Sequence, residues 1–263
     1  MEYAVLRSGA QMPLVGLGTW TLQGSAATDA VVRALELGYR HIDTAEAYDN
    51  HRQIAEGLRT AAIPREDLFI VSKVWRDHLH YEEVLAAAKT TLADLRLDYL
   101  DLYLVHWPSP SGVPVSETLT ALEELRKQGL IRAIGVSNFT QDHIREAVDT
   151  GIATIENNQV PYSPQRNQEA LRQLCEREGI VLTAYSPLGR GDLIRNADLQ
   201  RLAADRGHTV SQIILRWMVE KGIVVIPRST SRKHLAENLD LFGWELDDEA
   251  RVALDGMDPA AGA

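Results

Sequence analysis

Tyr39-Arg-His-Ile-Asp-Thr-Ala-Glu-Ala-Tyr-Asp-Asn50 decides how the chain reads. Gly38 ends the helical pattern in front of it, Ile42 sits in a short apolar strand, and Asp43 arrives where that strand stops. Glycine suits the left-handed cap at a helix end. Tyr48 follows on the next loop. A carboxylate and a phenol at one strand mouth can be a helix cap and a packed ring. They can equally be half of a reaction site, and the remainder of the chain decides between the two.

The same unit recurs. Glycines at Gly38, Gly129, Gly151, Gly179 and Gly222 each end a helical segment, and each is followed by a short apolar strand: Tyr39 to Asp43, Leu130 to Val136, Ile152 to Ile155, Ile180 to Tyr185 and Ile223 to Ile226. Leu68 to Lys73 and Tyr99 to His106 are strands that follow helices without the glycine, and Leu14 to Gly18 is the first strand. Between them Val84, Ala88, Leu92 and Leu95 keep helical spacing. Thr209-Val-Ser-Gln212 is a capping box opening a helix that buries Ile213, Ile214 and Trp217. Repeated strand–helix alternation means a parallel sheet, and continuous apolar strands mean both its faces are covered. The fold class is therefore α/β, a closed (β/α)8 TIM barrel, with an open doubly wound sheet as the second choice. The 263 residues suit one such domain, residues 1–263, since about 250 is typical. An N-terminal β-hairpin turning at Gly9-Ala10 precedes the barrel. Extra helices come late: two between the seventh and eighth strands, and one in the stretch from Trp244 to Met257.

The formal net charge of −10 argues against nucleic-acid binding. No apolar run is long enough to span a membrane, and there is no basic-then-apolar leader. The single cysteine, Cys175, lies on the apolar stripe of a helix and reads as a buried, inert thiol in a reduced, cytoplasmic setting. The expected state is a monomer acting on a small molecule.

In a barrel of this kind, function sits where strands exit. The exits carry Thr19-Trp20, Asp43, Lys73, His106-Trp107, Ser137-Asn138, Asn158-Gln159, Tyr185-Ser186 and Pro227-Arg228, whereas the strand bodies look aliphatic. A free tyrosine, with a pKa of about 10, is a poor acid at neutral pH. A lysine ammonium beside Tyr48 would stabilise its phenolate and lower that value. Asp43 would keep Lys73 charged and oriented, and a neutral His106 would position a substrate oxygen. These four residues form a proton-delivery set aimed at a carbonyl oxygen, with general-acid help worth about 10²–10⁴-fold. Reduction needs an outside electron source. Pro227-Arg-Ser-Thr-Ser-Arg-Lys-His234 opens a helix with hydroxyls and basic side chains that suit a phosphate. Tyr185 could stack on a flat ring, and Asn138 and Gln159 could bond an amide.

At this point the residues resemble a known family over nearly the whole chain. Gly16-Leu-Gly-Thr-Trp20, Asp43-Thr-Ala-Glu-Ala-Tyr48, Ser72-Lys73, Leu104-Val-His-Trp-Pro108, Gly135-Val-Ser-Asn-Phe139, Asn158-Gln159, Ala184-Tyr-Ser-Pro-Leu-Gly189 and Ile226-Pro-Arg-Ser229 with Glu237-Asn238 together look like an aldo-keto reductase, nearest to the bacterial 2,5-diketo-D-gluconate reductases. The resemblance implies NADPH, with NADH a weaker alternative, bound without a Rossmann fold. It also implies hydride delivery to small aldehydes or ketones such as 2,5-diketo-D-gluconate, methylglyoxal or sugar-like carbonyls, with Tyr48 as proton donor. The implied cofactor contacts are Thr19, Trp20, Asp43, Ser137, Asn138, Gln159, Tyr185, Ser186, Leu188, Gly189, Ile226, Pro227, Arg228, Ser229, Thr230, His234, Glu237 and Asn238. The implied substrate contacts are Trp20, Tyr48, Trp75, His106, Trp107 and Asn138, with no metal. The other function class is a barrel that holds NADPH as a sensor or regulator with little turnover.

Three departures from the family pattern matter. Arg228 stands where lysine is usual, and His234 where an arginine usually grips the adenosine 2′-phosphate. The tail ends soon after Asp258-Pro259, so a C-terminal loop over the pocket is expected to be largely missing. Among weaker signals, Gly16-Leu-Gly18 is no dinucleotide fingerprint, because the sixth position is Thr21; a tight turn explains it. His78-Leu-His80 lacks a third metal ligand at a fixed spacing and reads as surface loop. Lys73 alone could be a Schiff-base lysine, but Asp43 and Tyr48 favour the reductase. Glu245 to Glu249 reads as a solvated helix start.

Overall fold

In the computed structural model, which describes residues 2–257, the strands β1 (Tyr3–Val5) and β2 (Gln11–Pro13) pair antiparallel ahead of the repeating part of the chain. Gly9 turns between them at φ 85°, a left-handed conformation that costs glycine little. Ser8 N–H donates to Glu156 Oε2 at 2.6 Å, and Pro13 O lies 3.2 Å from His41 Nδ1. Both partners stand at strand beginnings, so the hairpin lies across the N-terminal mouth of the barrel.

The barrel strands are β3 (Leu17–Gly18), β4 (His41–Asp43), β5 (Phe69–Val74), β6 (Leu100–Val105), β7 (Ile131–Ser137), β8 (Ile155–Pro161), β9 (Val181–Tyr185) and β10 (Val224–Val225). All eight neighbour one another in chain order, and every pairing is parallel. Closure comes from a parallel bridge between Val15 and Val225, with Gly16 N–H to Val225 O at 2.9 Å and Val225 N–H to Leu14 O at 2.8 Å. Around the strands run α1 (Gly24–Leu37), α2 (His51–Ala61), α3 (Tyr81–Leu95), α4 (Val115–Lys127), α5 (Gln141–Asp149) and α6 (Glu169–Arg177). Two helices, α7 (Ala197–Ala204) and α8 (Val210–Glu220), fill the step before β10, and α9 (Arg232–Leu239) and α10 (Asp248–Asp255) follow it. The Thr209–Gln212 capping box opens α8, and Ile213, Ile214 and Trp217 are buried. The five expected helix-ending glycines all have positive φ. Among the described residues no helix is long and apolar enough to cross a membrane. Asp258 and Pro259 lie outside the described residues.

Three expectations change. The strand expected at 152–155 begins only at Ile155 and runs through the polar run to Pro161. Glu156, Asn157, Asn158 and Gln159 are all buried, and each side chain has a hydrogen-bond partner, as Asn157 Nδ2 has in Thr183 Oγ1 at 2.8 Å and Asn158 Nδ2 in Phe139 O at 3.1 Å. Hydropathy alone points away from such a strand. The first strand is shorter than Leu14 to Gly18, because the chain there serves both β4 and β10. Finally, Gly16 and Gly18 are not turn glycines. A Cβ on Gly16 would lie 2.5 Å from the His41 ring, and one on Gly18 would lie 2.5 Å from Ile226 O. These glycines let the barrel close.

Candidate active site

Strand ends converge as the barrel rule requires. β4 delivers Asp43 and β5 delivers Lys73, in neighbouring parallel strands. Lys73 is fully buried, yet its ammonium is met by Asp43 Oδ1 at 2.7 Å and Thr44 O at 2.8 Å. Its remaining contact is Tyr48 OH at 3.4 Å, a longer approach. Gln159 Nε2, from β8 across the barrel, donates to Asp43 Oδ2 at 2.7 Å. Both carboxylate oxygens are thereby engaged, which a buried charge needs.

Tyr48 closes the 3-10 turn Glu46–Tyr48. Its ring lies edge-on to His106 with centroids 5.7 Å apart, and Trp75 meets His106 the same way at 5.2 Å. Burial, and to a lesser degree the charge of Lys73, push His106 down to about 3, so its ring is neutral in ordinary buffers. The expected lowering of Tyr48 is not found. Burial first, then the charge of Asp43, hold the phenol well above its ordinary value. Lys73 itself is lowered by burial, against the opposing pull of Asp43. The phenol therefore keeps its proton at rest beside the buried Lys73 ammonium.

The second half of the site is a hydrogen-bonded wall. Tyr185 OH donates to Asn138 Oδ1 at 2.8 Å, and Asn138 Nδ2 donates to His106 O at 3.0 Å and Ser137 Oγ at 3.1 Å. Asn138 holds φ 62° to do this. Ser137 Oγ in turn donates to Gln159 O at 2.8 Å, and Thr19 Oγ1 donates to Asp43 O at 2.9 Å. The amide donors of Asn138 are thus already used inside the wall, so less of that side chain is left for a ligand amide than its residue type suggests.

A cavity of about 960 Å³ opens on these groups. Of the expected cofactor contacts, Thr19, Trp20, Asp43, Ser137, Asn138, Gln159, Tyr185, Ser186, Leu188, Ile226, Pro227 and Arg228 line it. All the expected substrate contacts line it too, Trp75 and Trp107 included. Gly189, Ser229, Thr230, His234, Glu237 and Asn238 do not. The last three lie on α9, where His234 is exposed and its N–H reaches the Ser231 cap at 3.4 Å.

Sequence reasoning missed four residues here. Asn50 is fully buried; it accepts from Thr44 Oγ1 at 2.8 Å and donates to Thr19 O and Leu22 O, each at 3.0 Å. Gln23 Nε2 donates to Tyr48 O at 2.6 Å. Together they lace the Trp20 loop to the Tyr48 turn. Glu46 accepts the Trp75 N–H at 2.8 Å and lies 2.6 Å from His78 Nδ1, which ties the Trp75 loop to the same turn. Arg190 also lines the cavity. An asparagine three residues before the helix-facing Gln53 was a capping signal that could have pointed to Asn50; nothing local marks the others. His80 Nδ1 lies 3.1 Å from Glu117, and among the described residues no acidic, histidine or cysteine group is arranged to hold a metal.

Residues 14–258 match the family model described as Aldo/keto reductase family. A glyoxal reductase of Bacillus subtilis (strain 168) is 42% identical over 253 residues, which span 96% of this chain and 91% of that protein. A 9,11-endoperoxide prostaglandin H2 reductase of Trypanosoma cruzi (strain CL Brener) is 38% identical over 256 residues, 96% of this chain and 90% of that protein. The crystal structure of an aldo/keto reductase from Brucella melitensis superposes with a TM-score of 0.93 at 36% identity, covering 97% of this chain and 99% of that one. The aldose reductase of Schistosoma japonicum gives a TM-score of 0.94 at 32% identity, covering 98% and 92%.

Proposed function

This chain belongs to the aldo/keto reductase family and is an NAD(P)H-dependent oxidoreductase acting on small carbonyl compounds; from that premise we propose that it reduces small aldehydes and dicarbonyls with NADPH, Tyr48 giving the proton. The observation that carries the reading is the contact chain Asp43–Lys73–Tyr48 at 2.7 and 3.4 Å, with neutral His106 against the same phenol.

The cavity fits a nicotinamide cofactor. Gln159 is anchored by its nitrogen on Asp43, which leaves its oxygen for a carboxamide. Tyr185 is fixed by its hydroxyl, which leaves its ring as a stacking face. Arg228 and the start of α9 suit phosphate. When bound, the cofactor supplies the hydride. His106 and Tyr48 hold the carbonyl oxygen between an imidazole and a phenol. As negative charge builds on that oxygen, the phenol proton moves to it, and the Lys73 ammonium stabilises the phenolate left behind. Asp43 keeps that ammonium charged and aimed. The raised resting value of Tyr48 is compatible with this, because the donor must stay loaded until the oxygen becomes basic.

Glyoxal is the substrate named for one relative, and a cavity with two half-open tryptophans suits small dicarbonyls better than bulky ketones. The test is NADPH oxidation with glyoxal, methylglyoxal, 2,5-diketo-D-gluconate and simple aldehydes. Turnover of several is expected, with the dicarbonyls ahead. Tight NADPH binding without oxidation by any of them would remove the reading.

A further inference from the structure

His78-Leu-His80 belongs to no metal group among the described residues, and the chemistry above gives it no part. Its two histidines nevertheless have separate partners. His80 Nδ1 lies 3.1 Å from Glu117 Oε1, in the first turn of α4, and the same oxygen accepts the Tyr81 N–H at 3.0 Å. Thr118 Oγ1 donates to Leu79 O at 2.7 Å. The far side of the loop is thus fixed to an outer helix. His78 Nδ1 instead meets Glu46 Oε1, at 2.6 Å. Glu46 belongs to the turn that presents Tyr48, and its second oxygen accepts the Trp75 N–H at 2.8 Å.

Residues 75–78 form a turn of their own. The His78 N–H bonds to Trp75 O at 3.0 Å, Trp75 Nε1 donates to Asp77 Oδ2 at 3.1 Å, and Arg76 lies over the Trp75 ring, 5.1 Å from its centroid. All of these contacts are internal. Among the described residues, the hydrogen bonds that join this turn to the rest of the protein both end on the Glu46 carboxylate. Arg76, Asp77 and His78 are exposed, so little packing stands in for that tie. Trp75 is half-buried and meets His106 edge-on, with centroids 5.2 Å apart, and Tyr48 meets the same imidazole at 5.7 Å. The place of the Trp75 ring therefore sets how wide a group can stand beside a carbonyl held by Tyr48 and His106. In the closed ring of eight strands β5 lies opposite β9. Trp75 accordingly stands across the cavity from Tyr185, whose face suits the cofactor.

We propose that Glu46 is a positioning residue for substrate selection: its carboxylate holds Trp75 against His106, and the wall held there limits the size of the group beside the reacting carbonyl. This rests on the reading of Tyr48 and His106 as the reacting end. Glu46 acts through Trp75 and not on the substrate, so hydride and proton transfer are unchanged. An anionic acceptor makes a strong hydrogen bond to a backbone N–H, and a turn with few outside contacts opens at low cost once that bond is gone. Removing the acceptor frees the wall, while the strand that carries Lys73 stays packed in the barrel.

The experiment compares methylglyoxal with phenylglyoxal, the same ketoaldehyde with a phenyl in place of the methyl. Glu46→Ala should raise the phenylglyoxal-to-methylglyoxal ratio of kcat/KM by about threefold or more, through a lower KM for phenylglyoxal rather than through kcat. Glu46→Leu keeps the bulk of the side chain and removes only its acceptors; it should match the alanine variant and guards against collapse of the turn. Glu46→Gln, whose side-chain oxygen can still accept the Trp75 N–H, should restore the wild-type ratio. In Trp75→Ala the wall is already gone, so adding Glu46→Ala should move the ratio no further. NADPH affinity should be the same in all the Glu46 variants. A ratio unmoved in Glu46→Ala and Glu46→Leu overturns the proposal, and so does a ratio that falls, since Trp75 would then support the larger group. An equal shift from Glu46→Ala in the Trp75→Ala background also overturns it, because Glu46 would then act on the substrate itself. Weakening of NADPH binding by the same factor does so too, by assigning Glu46 to the cofactor. Absence of NADPH oxidation by wild type with either compound and with simple aldehydes defeats the reductase reading itself, a result distinct from a ratio that ignores Glu46.

Discussion

Each end of the barrel buries a carboxylate against a cation, and the two pairs are built differently. At the N-terminal end, Asp101 near the start of β6 is bonded by Arg65 at 2.6 Å and by the Ile70 N–H at 2.9 Å, with Arg132 at 3.5 Å. Arg65 and Arg132 stack on the Tyr99 ring at 3.9 and 3.7 Å. Both arginines reach solvent, and the carboxylate is saturated from three directions. At the C-terminal end, Asp43 is just as well bonded, but its partner Lys73 is fully buried and keeps one long contact, to Tyr48. The first arrangement closes on itself. The second leaves a donor facing a cavity. Burial of charge marks both places, so burial does not distinguish a structural pair from a reactive one; the incomplete contact does.

The largest effect should come from removing the group at that contact. Tyr48→Phe should lower kcat by about 10²–10⁴-fold and leave cofactor affinity nearly intact. A variant that keeps more than about a tenth of the turnover would show that the proton comes from elsewhere. The pH profile of the wild type sharpens the point. His106, held at about 3 by burial, stays neutral, and Tyr48, raised well above its ordinary value, stays protonated. Lys73 is lowered, so it is the first of the three to change as pH rises. kcat should therefore show no acid limb down to about pH 6 and fall only on the alkaline side. An acid limb above that pH would mean that His106 titrates there.

Asp101→Ala probes the opposite end. Leaving the buried Ile70 N–H without its acceptor, beside two arginines that can turn to solvent, should cost about 1–3 kcal/mol in folding stability, read by denaturant unfolding. kcat of the folded protein should hold within about twofold, as surface-connected sites far apart add independently. A large kcat loss with little loss of stability would erase the distinction between the two ends.

The reactive end was the more readable of the two. Asp43, Lys73, His106, Asn138 and Tyr185 each stand at or just past the end of an apolar strand, so strand endings alone bring them together, whereas Gln159 sits inside the polar strand β8. Helix-ending glycines fixed the alternation because their φ is a local demand. What escaped were residues whose reason is a distant contact. Gly18 is small because Ile226 O passes close by. Asn50 is buried because two carbonyls of another loop need donors. The polar strand β8 looks like loop in hydropathy and is core in fact, because its side chains find partners that lie far off in sequence: Ser8 N–H for Glu156, Thr183 for Asn157, Phe139 O for Asn158 and Asp43 for Gln159. Arg190 carries no motif; only its place over Trp20 gives it meaning.

The smallest effect concerns cofactor choice, at the edge of the reactive end. NADPH differs from NADH by a 2′-phosphate, so only groups near that phosphate can discriminate. Arg228 lines the cavity and offers a permanent charge. His234 is exposed, outside the cavity lining, in the first turn of α9, with Ser231 as the cap. Helix starts attract phosphate, and the side chain there decides how strongly. A histidine in place of a permanent cation should leave NADPH preferred but NADH usable. His234→Arg should raise the NADPH-to-NADH ratio of kcat/KM by about three- to tenfold, the worth of one exposed charge-assisted contact, and that gain should shrink in high salt. Arg228→Ala should lower the same ratio by more, because its side chain already faces the cavity. The measurement is the pair of cofactor titrations in wild type and both variants at one saturating aldehyde. If His234→Arg leaves the ratio where it was while Arg228→Ala reduces it, discrimination belongs to the cavity wall alone and the first turn of α9 takes no part.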